Sequence, residues 1–156
     1  MSLERIRDPR LLKHQFGTME ADYLYTLGVA GERFFREIKE NGRIMGAKCE
    51  KCGVIYLPPR LYCEACFSEL KEWVDLGTRG YIYTYTISYV DEEGKPLEKP
   101  VIYAIIRMDG VVGGILHKIG EVEPEEVEIG MEVEAVLKPP EQRKASINDI
   151  LYFKPV

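Results

Sequence analysis

The sequence predicts a mainly β fold with a helical N-terminus, on three observations. The four cysteines fall into two CxxC pairs, Cys49–Cys52 and Cys63–Cys66, with ten residues between them. After Trp73, five short stretches carry strand signals, the first alternating with period two, as half-buried strands do. Ahead of both, residues 18–42 space apolar side chains as helices do. The expected order is an N-terminal arm and helices over residues 1–42, a cysteine-bearing ribbon over 43–73 and a small barrel over 74–156.

Residues 1–17 are charged and broken by Pro9 and Gly17, an arm that orders only against something else. Thr18 is placed to cap a helix over 19–27 that Gly28 ends. A second helix is expected over 32–40. Phe34, Phe35 and Ile38 form its apolar stripe, Glu32 and Arg36 pair at i,i+4, and Asn41-Gly42 stops it. With Tyr23 and Tyr25 added, the pair of helices has more aromatic surface than a small ribbon covers. It reads either as a docking surface or as a layer packed on the ribbon.

Each CxxC turn places two sulfurs on one side of a tight loop, and the hairpin between the pairs brings the second set opposite the first. Four thiolates then surround one ion. Cys49, Cys52, Cys63 and Cys66 are therefore the expected metal ligands, and structural Zn²⁺ is the expected ion, because a closed tetrahedron of soft thiolates suits it and leaves no position open for chemistry. A rubredoxin-like iron centre uses the same donors and is the alternative. A thioredoxin-like dithiol is disfavoured, since no βαβ pattern surrounds either pair. Gly53 follows Cys52 as a left-handed turn residue, residues 43–48 and 54–57 read as short strands, and Pro58-Pro59-Arg60 stiffens the approach to the second knuckle.

Residues 80–90 alternate Tyr81, Tyr83, Tyr85 and Ile87 against Ile82, Thr84, Thr86 and Ser88. Further strands are expected over 101–108, 111–119, 132–137 and 150–153, with a hairpin turn at Asp109-Gly110 and a loosening at Gly113-Gly114. Gly113-Gly114 reads as a bulge or as a point where a ligand or a partner backbone approaches closely. Residues 120–129, acidic and holding Pro124, form a loop or short helix. Five strands with that interruption suit a five-stranded barrel of the OB type, with an SH3-like barrel as the competitor.

A chain of 156 residues with a formal net charge of −5 reads as soluble and globular. No run approaches the roughly 18 apolar residues of a membrane span. The charged N-terminus has no apolar core behind it, and metal-type cysteine usage joins that in predicting a cytoplasmic protein. The acidic balance counts against nucleic acid, which recruits basic surfaces. An OB-type nucleic-acid binder remains the second reading, since Tyr81, Tyr83 and Tyr85 could stack bases, with Arg79 as the nearby cation.

Catalytic signals are sparse. His14 falls in the arm, and His117 stands alone in a strand. All four thiols are committed to metal, and no nucleophile elbow, P-loop or dinucleotide fingerprint is present. The acidic runs at 91–93 and 121–128 read as solvated loops. The chain is expected not to be an enzyme.

The order of helices, ribbon and barrel resembles a family of archaeal and bacterial zinc-ribbon/OB-fold proteins, long catalogued as a domain of unknown function. The resemblance covers residues 31–153. It rests on Phe34-Phe35, on Gly46-Ala47-Lys48-Cys49-Glu50-Lys51-Cys52-Gly53, on Pro58-Pro59-Arg60, on Cys63-Glu64-Ala65-Cys66, and on Trp73 with Gly80 before the first barrel strand. It implies a partner protein of thiolases or HMG-CoA synthases that helps to bind or channel an acyl-CoA thioester. A branch of that family resembles the companion domain of hydratase and aldolase complexes acting on steroid side chains. The present chain, without a further catalytic domain, fits the thiolase-associated form.

A CoA ligand needs cations for its phosphates, an aromatic face for adenine and an apolar groove for pantetheine. The candidates are Arg60 at the ribbon–barrel junction, Tyr83 and Tyr85 on one face of the first barrel strand, and Lys118, with Lys144 weaker. Each has a structural counterpart: a salt bridge between the modules for Arg60, and core or helix packing for the tyrosines.

Overall fold

The computed structural model describes residues 23–156 together with Asp8, Arg10 and Gly17. Helix α1 (Gly28–Asn41) leads into β1 (Met45–Lys48), β2 (Ile55–Leu57) and β3 (Glu72–Asp75). The barrel strands are β4 (Arg79–Val90), β5 (Pro96–Arg107), β7 (Ile115–Ile119), β8 (Glu132–Leu137) and β9 (Ile150–Pro155), with β6 (Val111–Gly113) inserted before β7.

The helical segment differs from expectation at its start. Of the helix expected over 19–27, residues 19–22 and its cap lie outside the described residues, and residues 23–27 take no regular structure. Gly28, at φ 67°, opens α1 instead of ending a helix, with Thr26 Oγ1 accepting its N–H at 3.2 Å. Ala30, Phe34 and Ile38 are buried at i, i+4 and i+8, so the apolar stripe reaches one turn further back than Phe34 suggested. The expected stop is observed. Gly42 adopts a left-handed conformation and donates to the Ile38 carbonyl at 3.1 Å.

Neither expected role of the helical stripe describes α1 fully, because its stripe is covered mainly by the barrel. Phe34 and Ile38 join Ile44 and Leu57 in one cluster with Ile82, Ile106, Ile115, Val133 and Phe153. Arg143, in the loop after β8, binds the Ile38 and Lys39 carbonyls from its Nη1 at 3.4 Å each and the Lys138 carbonyl from Nε at 2.7 Å. One guanidinium thus satisfies the Lys39 carbonyl, adds a second bond to the Ile38 carbonyl that Gly42 already reaches, and ties the helix end to the barrel. Arg33 lies 4.3 Å over the Trp73 ring.

The barrel closes in the order β4-β5-β7-β9-β8, with β8 back on β4. Its third and fifth strands, β7 and β9, run parallel at Ile119 and Phe153. That closure is the OB arrangement and decides against the SH3-like alternative.

Gly113-Gly114 splits what reads in sequence as one strand. β6 leaves the barrel to pair in parallel with β2, making a ribbon sheet of order β3-β1-β2-β6. A Cβ on Gly113 would sit 2.0 Å from the Leu57 carbonyl oxygen, and Gly114 donates to that oxygen at 2.8 Å. The backbone that approaches these glycines is therefore the chain's own, at Leu57, and not that of the ligand or partner expected there. β3 is not among the expected strands: Trp73, the last residue expected in the ribbon, pairs with Ala47 of β1 and so belongs to the ribbon sheet.

The loop between β8 and β9 is organised by Asp149, which is 1% exposed. Its Oδ1 accepts the Lys144 N–H at 2.8 Å and its Oδ2 accepts the Ser146 N–H at 3.2 Å. Asp149→Ala strands both amides, so a loss of about 2–3 kcal/mol is expected in urea unfolding. Asp149→Asn, which keeps one acceptor oxygen, should recover part of it.

Candidate metal centre and barrel face

The ribbon's two hairpin turns converge. Cys49 N donates to Val54 O at 2.8 Å and Gly53 N to Cys49 O at 2.8 Å; across the site Cys63 N donates to Ser68 O and Phe67 N to Cys63 O. Gly53 has φ 70°, as expected after a knuckle; Phe67, at the matching position, takes φ 56° without being glycine. The donor atoms of Cys49, Cys52, Cys63 and Cys66 all lie within 4.8 Å of one another. Cys49 and Cys63 are buried, and no disulfide joins any of them.

The donor set fits a metal. Cys49 Sγ and Cys66 Sγ are 3.6 Å apart, and Cys63 Sγ and Cys52 Sγ 4.0 Å. A tetrahedron with metal–sulfur bonds of about 2.3 Å places its sulfurs about 3.8 Å apart. Ionisation within the cluster is uneven. The Tyr56 hydroxyl, 3.4 Å from Cys63 Sγ, and nearby backbone N–H groups lower the Cys63 pKa to about 6. Hydrogen bonding to Cys66, burial and the other sulfurs push Cys52 up to about 12. Four thiolates at this spacing need a central cation to coexist. These features support a structural metal held by the ribbon.

The remaining candidates do not converge on one point. Arg60 pairs with Glu64, four residues on, and lies 5.2 Å over the Tyr56 ring, so its guanidinium is engaged within the ribbon. Tyr83 and Tyr85 do not share a face. The β4–β5 register shifts between Ile82 and Thr84, a bulge at Tyr83. Ile82 points into the core, Tyr85 and Ile87 pack against it, and Tyr83 stays exposed with the Arg107 guanidinium 3.5 Å over its ring. One extra residue reverses the alternation, which is why the strict pattern misplaced them. Lys144 gives its backbone N–H to Asp149.

Lys118 lies on the outer barrel face in a cleft of about 540 Å³ that also holds Tyr103, His117, Lys138 and Asn148. Sequence reasoning missed Tyr103 and Lys138, which lie far from Lys118 in the chain; only the OB ligand-face location could have suggested them. His117 turns Nε2 toward the Ile147 carbonyl at 3.4 Å, and its Nδ1 is buried without a partner among the described residues. Burial lowers its pKa, so the ring stays neutral near pH 7. His14 lies outside the described residues. Next to the cleft is an apolar pocket of about 300 Å³ between α1 and the barrel, lined by Phe34, Phe35, Pro58, Pro59, Leu116 and Ile147. None of the described helices is long and apolar enough to cross a membrane.

Comparison with known proteins agrees with this layout. Residues 36–72 match the family model described as ChsH2, rubredoxin-like zinc ribbon domain, and residues 73–138 match ChsH2, C-terminal OB-fold domain. A DUF35 domain-containing scaffold protein of Methanocaldococcus jannaschii is 35% identical over 107 residues, covering 68% of this chain and 75% of that one. The chain belongs to the DUF35 family. Its likeness extends to a DUF35-family crystal structure of unknown function from Sulfolobus solfataricus, with a TM-score of 0.66, 33% identity and coverage of 83% and 87% of the two chains. A benzoylsuccinyl-CoA thiolase subunit, BbsA of Geobacter metallireducens, is 31% identical over 90 residues, 55% of this chain and 60% of the subunit. Within this DUF35 chain the ribbon model ends where β3 begins, although β3 pairs into the ribbon sheet.

Proposed function

We propose that this DUF35 chain is a non-catalytic subunit, held together by structural Zn²⁺, that docks on a thiolase- or HMG-CoA synthase-like enzyme and helps to hold the acyl-CoA thioester. The observation that carries the reading is the apolar pocket between α1, Pro58-Pro59 and β7. It is an apolar hollow of the kind a pantetheine or acyl chain fills, and among the described residues no nucleophile lines it. The relative named as a thiolase subunit and the relatives named scaffold proteins support the same assignment. Tyr23, Leu24, Tyr25 and Leu27 at the approach to α1 and Val29 in its first turn, all exposed, supply apolar surface for the enzyme partner.

Mild affinity purification of the tagged protein from its own host tests this. Stoichiometric recovery of a thiolase- or HMG-CoA synthase-like enzyme is expected, and recovery only of proteins that do not use CoA overturns the reading. Although Glu64 and Tyr56 hold it, the Arg60 side chain is 43% exposed and can reach a docked partner, so Arg60→Ala should weaken capture of that enzyme severalfold with metal retained. Unchanged capture together with unchanged CoA affinity of the complex removes Arg60 from the interface.

A further inference from the structure

β4 and β5 run on past the barrel as a two-stranded hairpin, and its two free edges are built differently. β8 pairs β4 only over Arg79–Tyr81, with Gly130 and Met131 extending the contact to Ile82, and β7 pairs β5 only from Ile102 onward. From Tyr83 to Val90 on β4, and from Pro96 to Val101 on β5, the edge facing away from the hairpin has no strand partner among the described residues. The β5 edge is blunted. It reads Pro96-Leu97-Glu98-Lys99-Pro100, and prolines and charges are devices that keep an edge strand from pairing. The irregularity near the tip also belongs to β5, which runs from Val101 to Pro96 while β4 advances only from Ser88 to Val90. The β4 edge carries no such device. Gly80–Val90 holds neither a charge nor a proline and is rich in Tyr, Thr and Ile. A β-prone, uncharged strand left open is a hazard unless something covers it.

The β4 run is complementary to itself when reversed. Taken antiparallel about Thr86, Thr86 meets Thr86 of a second chain, Tyr85 meets Ile87, Thr84 meets Ser88 and Tyr83 meets Tyr89. Tyr83, Thr84, Thr86 and Tyr89 are exposed, and Tyr85 and Ile87 are half-buried. Aromatic on aromatic, aromatic on β-branched and hydroxyl on hydroxyl are favourable cross-strand pairs. Charge follows the same axis. Beyond the paired segment, that register brings Asp91, Glu92 and Glu93 of the second chain level with Tyr81, Gly80 and Arg79. Arg107 is the β5 neighbour of Tyr81 and lies 3.5 Å over the Tyr83 ring. Its Nε is buried without a hydrogen-bond partner among the described residues. Arg79 pairs with Glu134, and Glu93 with Lys95. Arg107 and Glu92 make no ion pair among the described residues, and the two-fold arrangement sets them near each other at both ends of the contact.

We infer that the free edge of β4 is a self-association surface, on which a second copy of this chain pairs antiparallel about Thr86 and joins two barrels through one continuous sheet. The inference goes beyond the proposed function and uses none of its residues, since Tyr23–Val29, Pro58-Pro59 and Arg60 all lie off β4. A dimer therefore carries two copies of the surface proposed to meet the enzyme.

Sedimentation equilibrium of the full, metal-loaded chain is expected to show a concentration-dependent monomer–dimer equilibrium. Hydrogen exchange should slow with concentration at the amides of residues 83–89. Thr86→Lys sets two like charges opposite each other on the axis and should weaken dimerisation at least about tenfold. Thr86→Glu should do the same. An equimolar mixture of the two variants should regain wild-type association, because each lysine then meets a glutamate, a rescue that a merely structural role for Thr86 does not produce. Metal content and melting of the dilute variants should match wild type, since the Thr86 side chain is exposed. A wild-type chain that stays monomeric up to about 1 mM overturns the inference and leaves the edge to a strand of another protein. Dimerisation unchanged in Thr86→Lys, a mixture that stays monomeric, or slowed exchange confined to α1 or the ribbon overturns it as well.

Discussion

Cys49→Ser is expected to lower bound metal from one ion per chain to near zero and to unfold the ribbon. Cys49 is 1% exposed, and its N–H and C=O form the first knuckle's bonds to Val54 and Gly53. Metal binding contributes about 10–16 kcal/mol of apparent folding free energy in small zinc modules. The apolar cluster of the ribbon, Ala47, Tyr56 and Leu70 around two of the cysteines, is too small to replace it. The damage should also spread. β2 carries Leu57 into the barrel cluster and pairs with β6, so a melted ribbon uncovers one side of the barrel core. Elemental analysis and thermal melting, with and without chelator, measure both effects. Full metal content and unchanged melting in Cys49→Ser would falsify the assignment of the ligands. Visible absorption of the wild-type protein separates the ions, since an iron–thiolate centre is coloured and a zinc one is not.

Gly113→Ala is expected to cost roughly 3–5 kcal/mol or to prevent folding, a range reached only by a few mechanisms. Two of them coincide here. Gly113 has φ 99°, a backbone conformation that side chains disfavour, and its added Cβ would lie 2.0 Å from Leu57 O and 3.1 Å from Leu57 C. The clash is with backbone, so no rotamer relieves it; either β6 separates from β2 or Leu57 leaves the core. Gly110→Ala is the control. It has φ 70° but open space around the added methyl, so only the conformational cost of about 1–2 kcal/mol applies. Urea unfolding of both variants reads the difference. Equal destabilisation would mean that ribbon and barrel are not fused at Gly113.

Much of the fold is legible in local sequence. Paired CxxC turns place their sulfurs by loop geometry alone, and the four donors span only residues 49–66. Asn41-Gly42 ends the helix because a left-handed residue is needed there and glycine adopts it freely. The barrel strands follow from alternation and turn residues. What local pattern misses is whatever depends on a distant partner. The Tyr83 bulge follows from how β4 must bend around the closed barrel, and it sends Tyr83 outward and Tyr85 inward although both belong to the same alternating run. β3 is a strand because Ala47 and Gly46 lie beside it, not because Glu-Trp-Val-Asp carries a pattern of its own.

The candidate ligand face divides in the same way. Lys118 is readable as a strand cation, but the reason to single it out is Lys138 and Tyr103 across the cleft, brought together by barrel closure. By itself, the sequence determined the metal ligands, the order of ribbon before barrel and most of the strands, because each depends on contacts within a few residues or on a repeating period. Only the tertiary structure decided that α1 covers the barrel, that Gly113 fuses ribbon to barrel and that two lysines 20 positions apart face one cleft. Those outcomes are set by packing and backbone approach between distant segments, which periodicity does not encode.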